Sequence, residues 1–292
     1  MEFISIDELR TEVDVNVQRL EDIFRFGFNY RVILHGSGLE FSQLREYVPG
    51  EDDPRRIDWK SSLRSDHLYV KDYEEERNLD VFILLDTSAS MLFGTQDKLK
   101  SEYAAVLAST LAHAATEAGD NVGFCMFNDN VLNYHPPSKD SSIYYQMLNY
   151  IVNPAYYGGG CNLKKALMHL INIIDAKTAL FIISDFIGIG DDWHSPMKTL
   201  SAKLDSVFGI MVRDVRDSFI PEHIGNTRVS DPFTGKSMIV NMDAVRRDFE
   251  KAASEQERAI LDEFHSSRAR FVKVYTDQNF IEPLIKYLEL GT

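Results

Sequence analysis

The chain has 292 residues, 44% hydrophobic and 26% charged, which suits a large α/β domain with an appendage and excludes wholesale disorder. Lysine and arginine number 31 against 45 acids, a net charge of −14, so phosphate backbones are repelled and nucleic acid is excluded as a general partner. Two cysteines, Cys125 and Cys161, exclude a disulfide framework and a cysteine-rich zinc site.

The N-terminus lacks a basic-flanked apolar leader, and the longest apolar runs, Val81–Leu85 and Ala179–Ile183, are far too short to span a membrane. A soluble cytoplasmic protein is expected. Ser5-x-x-Glu8 reads as a capping box, and Leu9, Val13, Val17, Leu20 and Phe24 follow at helical spacing, so a helix is predicted to end near Gly27. Between about Tyr30 and Tyr73, Gly36, Gly38, Pro49-Gly50 and Pro54 punctuate short segments dense in both charges. Val81–Leu85 reads as a strand buried on both faces. A long helix follows, with Asp97 as its expected N-cap and Gly119 as its stop. Segments 121–127 and 131–134 flank Asn128-Asp129-Asn130 as an antiparallel hairpin. A short helix near 143–150, a Gly158-Gly159-Gly160 loop and a helix from about Leu163 to Ile174 come next. Two buried strands follow, at 179–183 and 206–212, then a polar hairpin over 227–241. A helix from Asp243 carrying Val245, Phe249, Ala252, Ile260 and Phe264, a strand at 271–275 and a helix at 281–288 complete the chain. Strands alternating with helices predict a Rossmann-like, doubly wound, mostly parallel sheet with one antiparallel edge strand. Residues 1–78 are assigned to the N-terminal helix and a small α+β extension, and 79–292 to the main domain.

In such a sheet, ligands bind outside the carboxyl ends of the strands. Two buried runs end there in acids, Asp86 and Asp185. The first opens the pattern Asp86-Thr87-Ser88-Ala89-Ser90. Two carboxylates and two hydroxyls make a set of hard oxygen donors suited to Mg²⁺. Taken alone, Asp-x-Ser-x-Ser also reads as a helix cap or serine turn. Thr234-Gly235-Lys236-Ser237 ends like a phosphate-binding loop, but Ser230 stands where its first glycine belongs.

Asp86-x-Ser88-x-Ser90, the Gly159-Gly160 element and Asp185 resemble the von Willebrand factor A domain. Its metal-ion-dependent adhesion site uses an Asp-x-Ser-x-Ser loop, a Thr from a second loop and an Asp from a third. The segment from Phe41 through Arg45-Glu46-Tyr47, Pro49-Gly50-Glu51-Asp52 and Pro54-Arg55-Arg56-Ile57-Asp58-Trp59-Lys60, continued by Leu68-Tyr69-Val70-Lys71, resembles the bacterial family catalogued as domain of unknown function 58. The resemblance runs from about Phe28 to the C-terminus. It implies a non-enzymatic protein-binding module that holds Mg²⁺ or another divalent cation on Asp86, Ser88, Ser90 and Asp185. It also implies a MoxR-type AAA+ ATPase as partner in assembling or activating other proteins, with a carboxylate-bearing client. The sequence departs from the family at Cys161, where the family has Thr, and a soft thiol is a poor ligand for Mg²⁺.

Two other readings stay open. One is a Mg²⁺-dependent phosphoryl-transfer enzyme with Asp86 as acceptor. The other is a scaffold with a vestigial metal site. Trp59 is expected to be buried between extension and domain, with Arg55 and Arg56 paired to carboxylates.

Overall fold

The structure is a computed structural model and describes residues 3–26, 40–49, 52–54, 57–63, 67–74 and 80–289. The chain divides into two compact units, one of residues 1–25 with 79–292 and the other of residues 26–78.

The large unit is built on a six-stranded sheet. Strands β3 (Asp80–Asp86), β4 (Asn121–Phe127), β6 (Thr178–Ser184), β7 (Ser206–Arg213) and β10 (Arg270–Tyr275) are parallel, and β5 (Val131–Ser138) is an antiparallel edge paired to β4. The order is β10-β7-β6-β3-β4-β5; helix α4 (Ser142–Ile151) follows β5, and β8 (Asn226–Ser230) and β9 (Ser237–Asn241) pair as a separate antiparallel hairpin. The two strands with continuous apolar runs, β3 and β6, lie side by side at its centre and are buried throughout. Phe82 and Leu84, with Leu180 and Ile182, share a core with Leu163 and Leu167 of α5 (Leu163–Ile173), Met197 and Leu200 of α6 (His194–Lys203), and Ile260 and Phe264 of α8 (Met242–Ser266). The alternate residues Val81, Ile83 and Leu85 point to the other face, where α3 (Lys100–Glu117) lies. This is the doubly wound arrangement that the sequence predicts. Among the described residues, no helix is long and apolar enough to cross a membrane.

Helix α1 (Ile6–Phe26) starts at the expected capping box: Ser5 N–H and Oγ–H donate to Glu8, 2.9 and 2.8 Å away. Its apolar stripe, Leu9, Val13, Val17 and Leu20, is buried. Lys98 Nζ donates to Glu12 at 2.6 Å, and Ile4 N–H donates to Glu102 Oε1 at 3.1 Å. The sequence grouped this helix with the extension; these contacts join it to the sheet unit.

One expectation, the cap of α3, is corrected. Asp97 does not cap α3. Lys100 N–H donates to Phe93 O, and Thr95 is tied to Asp214, so the chain stays a loop until Lys100, where Glu102 Oε2 accepts the Leu99 N–H at 2.8 Å. Val245 and Phe249 do not lie in the core: the first half of α8 is largely exposed, and Ile260 and Phe264 carry its packing. Helix α6 has no counterpart in the sequence reading, because His194-Ser195-Pro196 carries no clear start signal.

In the smaller unit, β1 (Glu40–Glu46) pairs antiparallel with β2 (Tyr69–Glu74). Arg45 clasps Asp52, with Nη1 to Oδ2 at 2.7 Å. Asp58 caps the single turn α2 (Trp59–Ser62), accepting from Lys60 N–H and Ser61 Oγ–H at 3.1 and 2.9 Å. In the smaller unit Ile57 and Ser62 are buried and Trp59 is 60% exposed. Arg55 and Arg56, like Gly36, Gly38 and Gly50, lie outside the described residues.

Trp59→Ala should therefore change stability by less than about 1 kcal/mol, as surface substitutions do. At Gly209, on β7, an added Cβ would run into the ring of Phe264. Gly209→Ala should cost about 1–3 kcal/mol through overpacking. Urea unfolding of both variants checks the contrast.

Candidate functional site at the carboxyl rim of the sheet

Parallel pairing brings the ends of β3, β6 and β7 to one rim, and each end supplies an acid: Asp86, Asp185 and Asp214. The first two are fully buried with Ser88, and Ser90 is nearly so. Asp86 Oδ1 accepts the Ser88 N–H at 2.8 Å, while its Oδ2 accepts from Ser184 Oγ at 2.6 Å and from the Cys161 thiol at 3.4 Å. Ser90 Oγ donates to Asp185 Oδ1 at 3.1 Å and lies 3.0 Å from Ser88 Oγ. All five residues singled out in the sequence, Asp86, Ser88, Ser90, Cys161 and Asp185, thus meet in one hydrogen-bonded cluster.

The loops around it are laced together by backbone. Thr87 N–H donates to Phe127 O, Gly158 N–H to Thr87 O, and Ala89 N–H to Gly159 O, at 2.8, 2.8 and 3.1 Å. Asp129, in the β4–β5 turn, accepts the Gly160 N–H at 2.7 Å. Gly159 has φ +76°, and a Cβ there would sit 2.6 Å from Asp129 Oδ2, so conformation and close approach both call for glycine.

Lys100, absent from the sequence expectations, joins this cluster. Its ammonium, on a side chain 1% exposed, donates to Asp185 Oδ2 at 2.7 Å and to Asp217 Oδ2 at 2.8 Å. Asp217 lies on the single turn α7 (Val215–Ser218) and also accepts the Asp214 N–H at 2.9 Å. Asp214 holds the Thr95 N–H and hydroxyl, both at 2.7 Å. A signal existed: a lysine in the first turn of a helix opposes the helix dipole, so its placement there needs another cause.

Burial, with the charge of Asp185 beside it, pushes the Asp86 carboxyl up to about 6, against the hydrogen bonds from Ser184 and Ser88. Burial also pushes the Cys161 thiol well up, and the adjacent Asp86 adds to this. In this arrangement Cys161 is a neutral thiol that donates to Asp86. Burial raises Asp217 too, although Lys100 opposes the shift.

Among the described residues, no group of three or more His, Cys, Asp or Glu side chains is arranged to hold a metal. The oxygen donors Asp86, Ser88, Ser90 and Asp185 nonetheless fit a hard divalent cation by chemistry, and a protein cation, the Lys100 ammonium, already rests on one of them. Beside Cys161 a groove of about 650 Å³ opens to solvent, lined in part by Asp129, Asn162, Lys164, Lys165 and Asp192.

The family profile described as "Protein of unknown function DUF58" matches residues 43–259, from the smaller unit through the rim cluster and into α8. The chain belongs to the DUF58 family. Uncharacterised proteins of Mycobacterium tuberculosis and Mycobacterium bovis are similar to it, 26% identical over 88% of this chain and 80% of theirs. Among solved structures, the conserved hypothetical protein BatB from Bacteroides thetaiotaomicron is similar with a TM-score of 0.50. It is 17% identical, over 73% of this chain and 97% of that one. That likeness concerns the fold alone. Within this DUF58 chain, the matched residues include the whole rim cluster, from Asp86 to Asp217.

A carboxyl raised from 3.8 to about 6 is protonated in the folded protein before it is protonated in the unfolded chain. Its contribution to stability is full below the unfolded value and is lost as pH rises through the folded one. Relative to Asp86→Asn, the wild type should therefore gain stability as pH falls from about 6 to about 4. Denaturation of both proteins across that range reads the difference; a constant difference contradicts the raised value.

Proposed function

We propose that this DUF58 protein is a non-enzymatic, cytoplasmic protein-binding module that receives a carboxylate-bearing segment of a partner at the carboxyl rim of its sheet. In this reading it works with a MoxR-type AAA+ ATPase in the assembly or activation of other proteins. The observation that carries the reading is the buried carboxylate–hydroxyl cluster at the rim, with Cys161 belonging both to that cluster and to the lining of the groove beside it.

Asp86, Ser88, Ser90 and Asp185 would hold the divalent cation of an adhesion-type metal site, which when bound supplies positive charge for an incoming carboxylate. Cys161 keeps its proton and stays on Asp86. Lys164 and Lys165 stand in the wall of the groove, where an acidic side chain would approach; they are paired to Asp192 and Asn130, both at 2.8 Å. Exposed pairs of that kind exchange at little cost.

Asp86 is poorly suited to act as a phosphoryl acceptor. A carboxylate that attacks phosphorus must expose an oxygen. Here both oxygens accept hydrogen bonds inside the protein, and burial favours the protonated acid.

Binding of a purified MoxR-type ATPase, followed by interferometry in Mg²⁺ and in chelator, tests the reading. Lys164→Glu combined with Lys165→Glu lies away from the core and should weaken binding at least about tenfold, or about 1.4 kcal/mol. Unchanged binding would remove the groove from the interface. Incubation with acetyl phosphate should leave the mass of the chain unchanged, and a stable phosphoryl adduct would establish the enzyme reading instead.

A further inference from the structure

The rim cluster contains its own counter-cation. Lys100 is the first residue of α3, at the positive end of the helix dipole, where a lysine is locally unfavourable. It is also fully desolvated, which a charged amine tolerates only when paired. Asp185 and Asp217 supply that pairing at 2.7 and 2.8 Å, and the ring of Phe93 lies 5.5 Å from the ammonium. Arg213, the other buried cation described near this rim, faces Gln256 and Glu257.

Asp185 is the acid that would complete a divalent-cation site with Asp86, Ser88 and Ser90. Its Oδ2 is occupied by the ammonium, and its Oδ1 accepts from Ser90 Oγ and from Ile187 N–H, 2.9 Å away. A divalent ion on the same carboxylate would meet a like charge at short range in a low-dielectric setting, where repulsion is strong. Lys100 has a second anchor. Asp217, held in turn by the Asp214 N–H, keeps the ammonium paired when Asp185 is released. The structure has Lys100 bridging both acids, and Asp217 offers it a pairing that does not need Asp185.

We propose that Lys100 is a built-in competitor for the divalent cation: its ammonium neutralises Asp185 in the resting protein, and a metal ion binds only as Lys100 lets go of that acid. The proposal rests on the reading of the rim as a cation site. Under it, the rim is poised to be weak for Mg²⁺, and a change that draws Lys100 towards Asp217 strengthens it.

Isothermal titration of Mg²⁺ and Mn²⁺ into wild type, Lys100→Met and the double variant Lys100→Met/Asp217→Asn tests this. The double variant guards against destabilisation by an orphaned Asp217. Thermal melts in chelator and in Mg²⁺ supply a second readout. Both variants should bind Mg²⁺ at least about tenfold more tightly than wild type, equivalent to about 1.4 kcal/mol. Both should also gain more melting temperature from Mg²⁺ than wild type does. Equal affinities in all three proteins would leave the cation site standing and remove Lys100 as its competitor. Absence of binding in all three at millimolar metal would overturn the cation site and this proposal together.

Discussion

Burying several carboxylates at one edge of a sheet is the constraint around which the large unit is arranged. Asp86, Asp185 and Asp214 are fully buried, and Asp217 is nearly so. Each would be costly without a partner. The structure meets that cost with short loops whose N–H and O–H groups point inward, with a neutral thiol on Asp86, and with an ammonium shared by Asp185 and Asp217. Much of the surrounding geometry follows. The 93–99 loop delays the start of α3 because Thr95 must reach Asp214. The glycine loop closes over Thr87 and Ala89 because Asp129 needs the Gly160 N–H.

The same constraint separates the apolar core from the polar rim. The apolar ladder of β3 and β6 gives a rigid floor, with paired residues such as Leu84 and Ile182 wholly buried. The polar cluster sits only at the strand ends, where the ladder stops. The charge pairs at this rim are made by side chains and loop hydroxyls, outside the apolar ladder beneath them. Membership of the DUF58 family spans both parts, since the matched residues run from the smaller unit to α8.

The fold was largely legible because its strands are extreme. Continuous apolar runs at 81–85 and 179–183 have few alternatives to a doubly buried parallel strand. The Asp-x-Ser-x-Ser pattern and Asp185 were legible for the same reason: they follow those runs directly, so their rim positions were fixed by the strands. Lys100 was missed because sequence spacing gives no sense of depth; its one signal is a first-turn position that opposes the helix dipole. Asp97 looked like a cap since the residue type is right, whereas the start of the helix was decided by the tie between Thr95 and a residue over a hundred positions away. In the smaller unit the cap at Asp58 opens a single helical turn on which Trp59 is exposed, a detail that a large aromatic amid charges does not reveal in sequence. The periodicity of α8 was real, but only its second half meets the core.

Glu102 divides its carboxylate between two distant parts of the chain. One oxygen accepts the Leu99 N–H at the start of α3; the other accepts the N–H of Ile4, just before α1. Neither donor can be released without leaving a backbone N–H unpaired in a region with little water to replace the bond. Lys98 repeats the link by reaching Glu12. The turn that aims Lys100 at the rim is thus fastened to the first residues of the chain. The seating of α1 and the position of that ammonium are mechanically joined, so the N-terminal segment is a handle on the rim as well as a cover for the core.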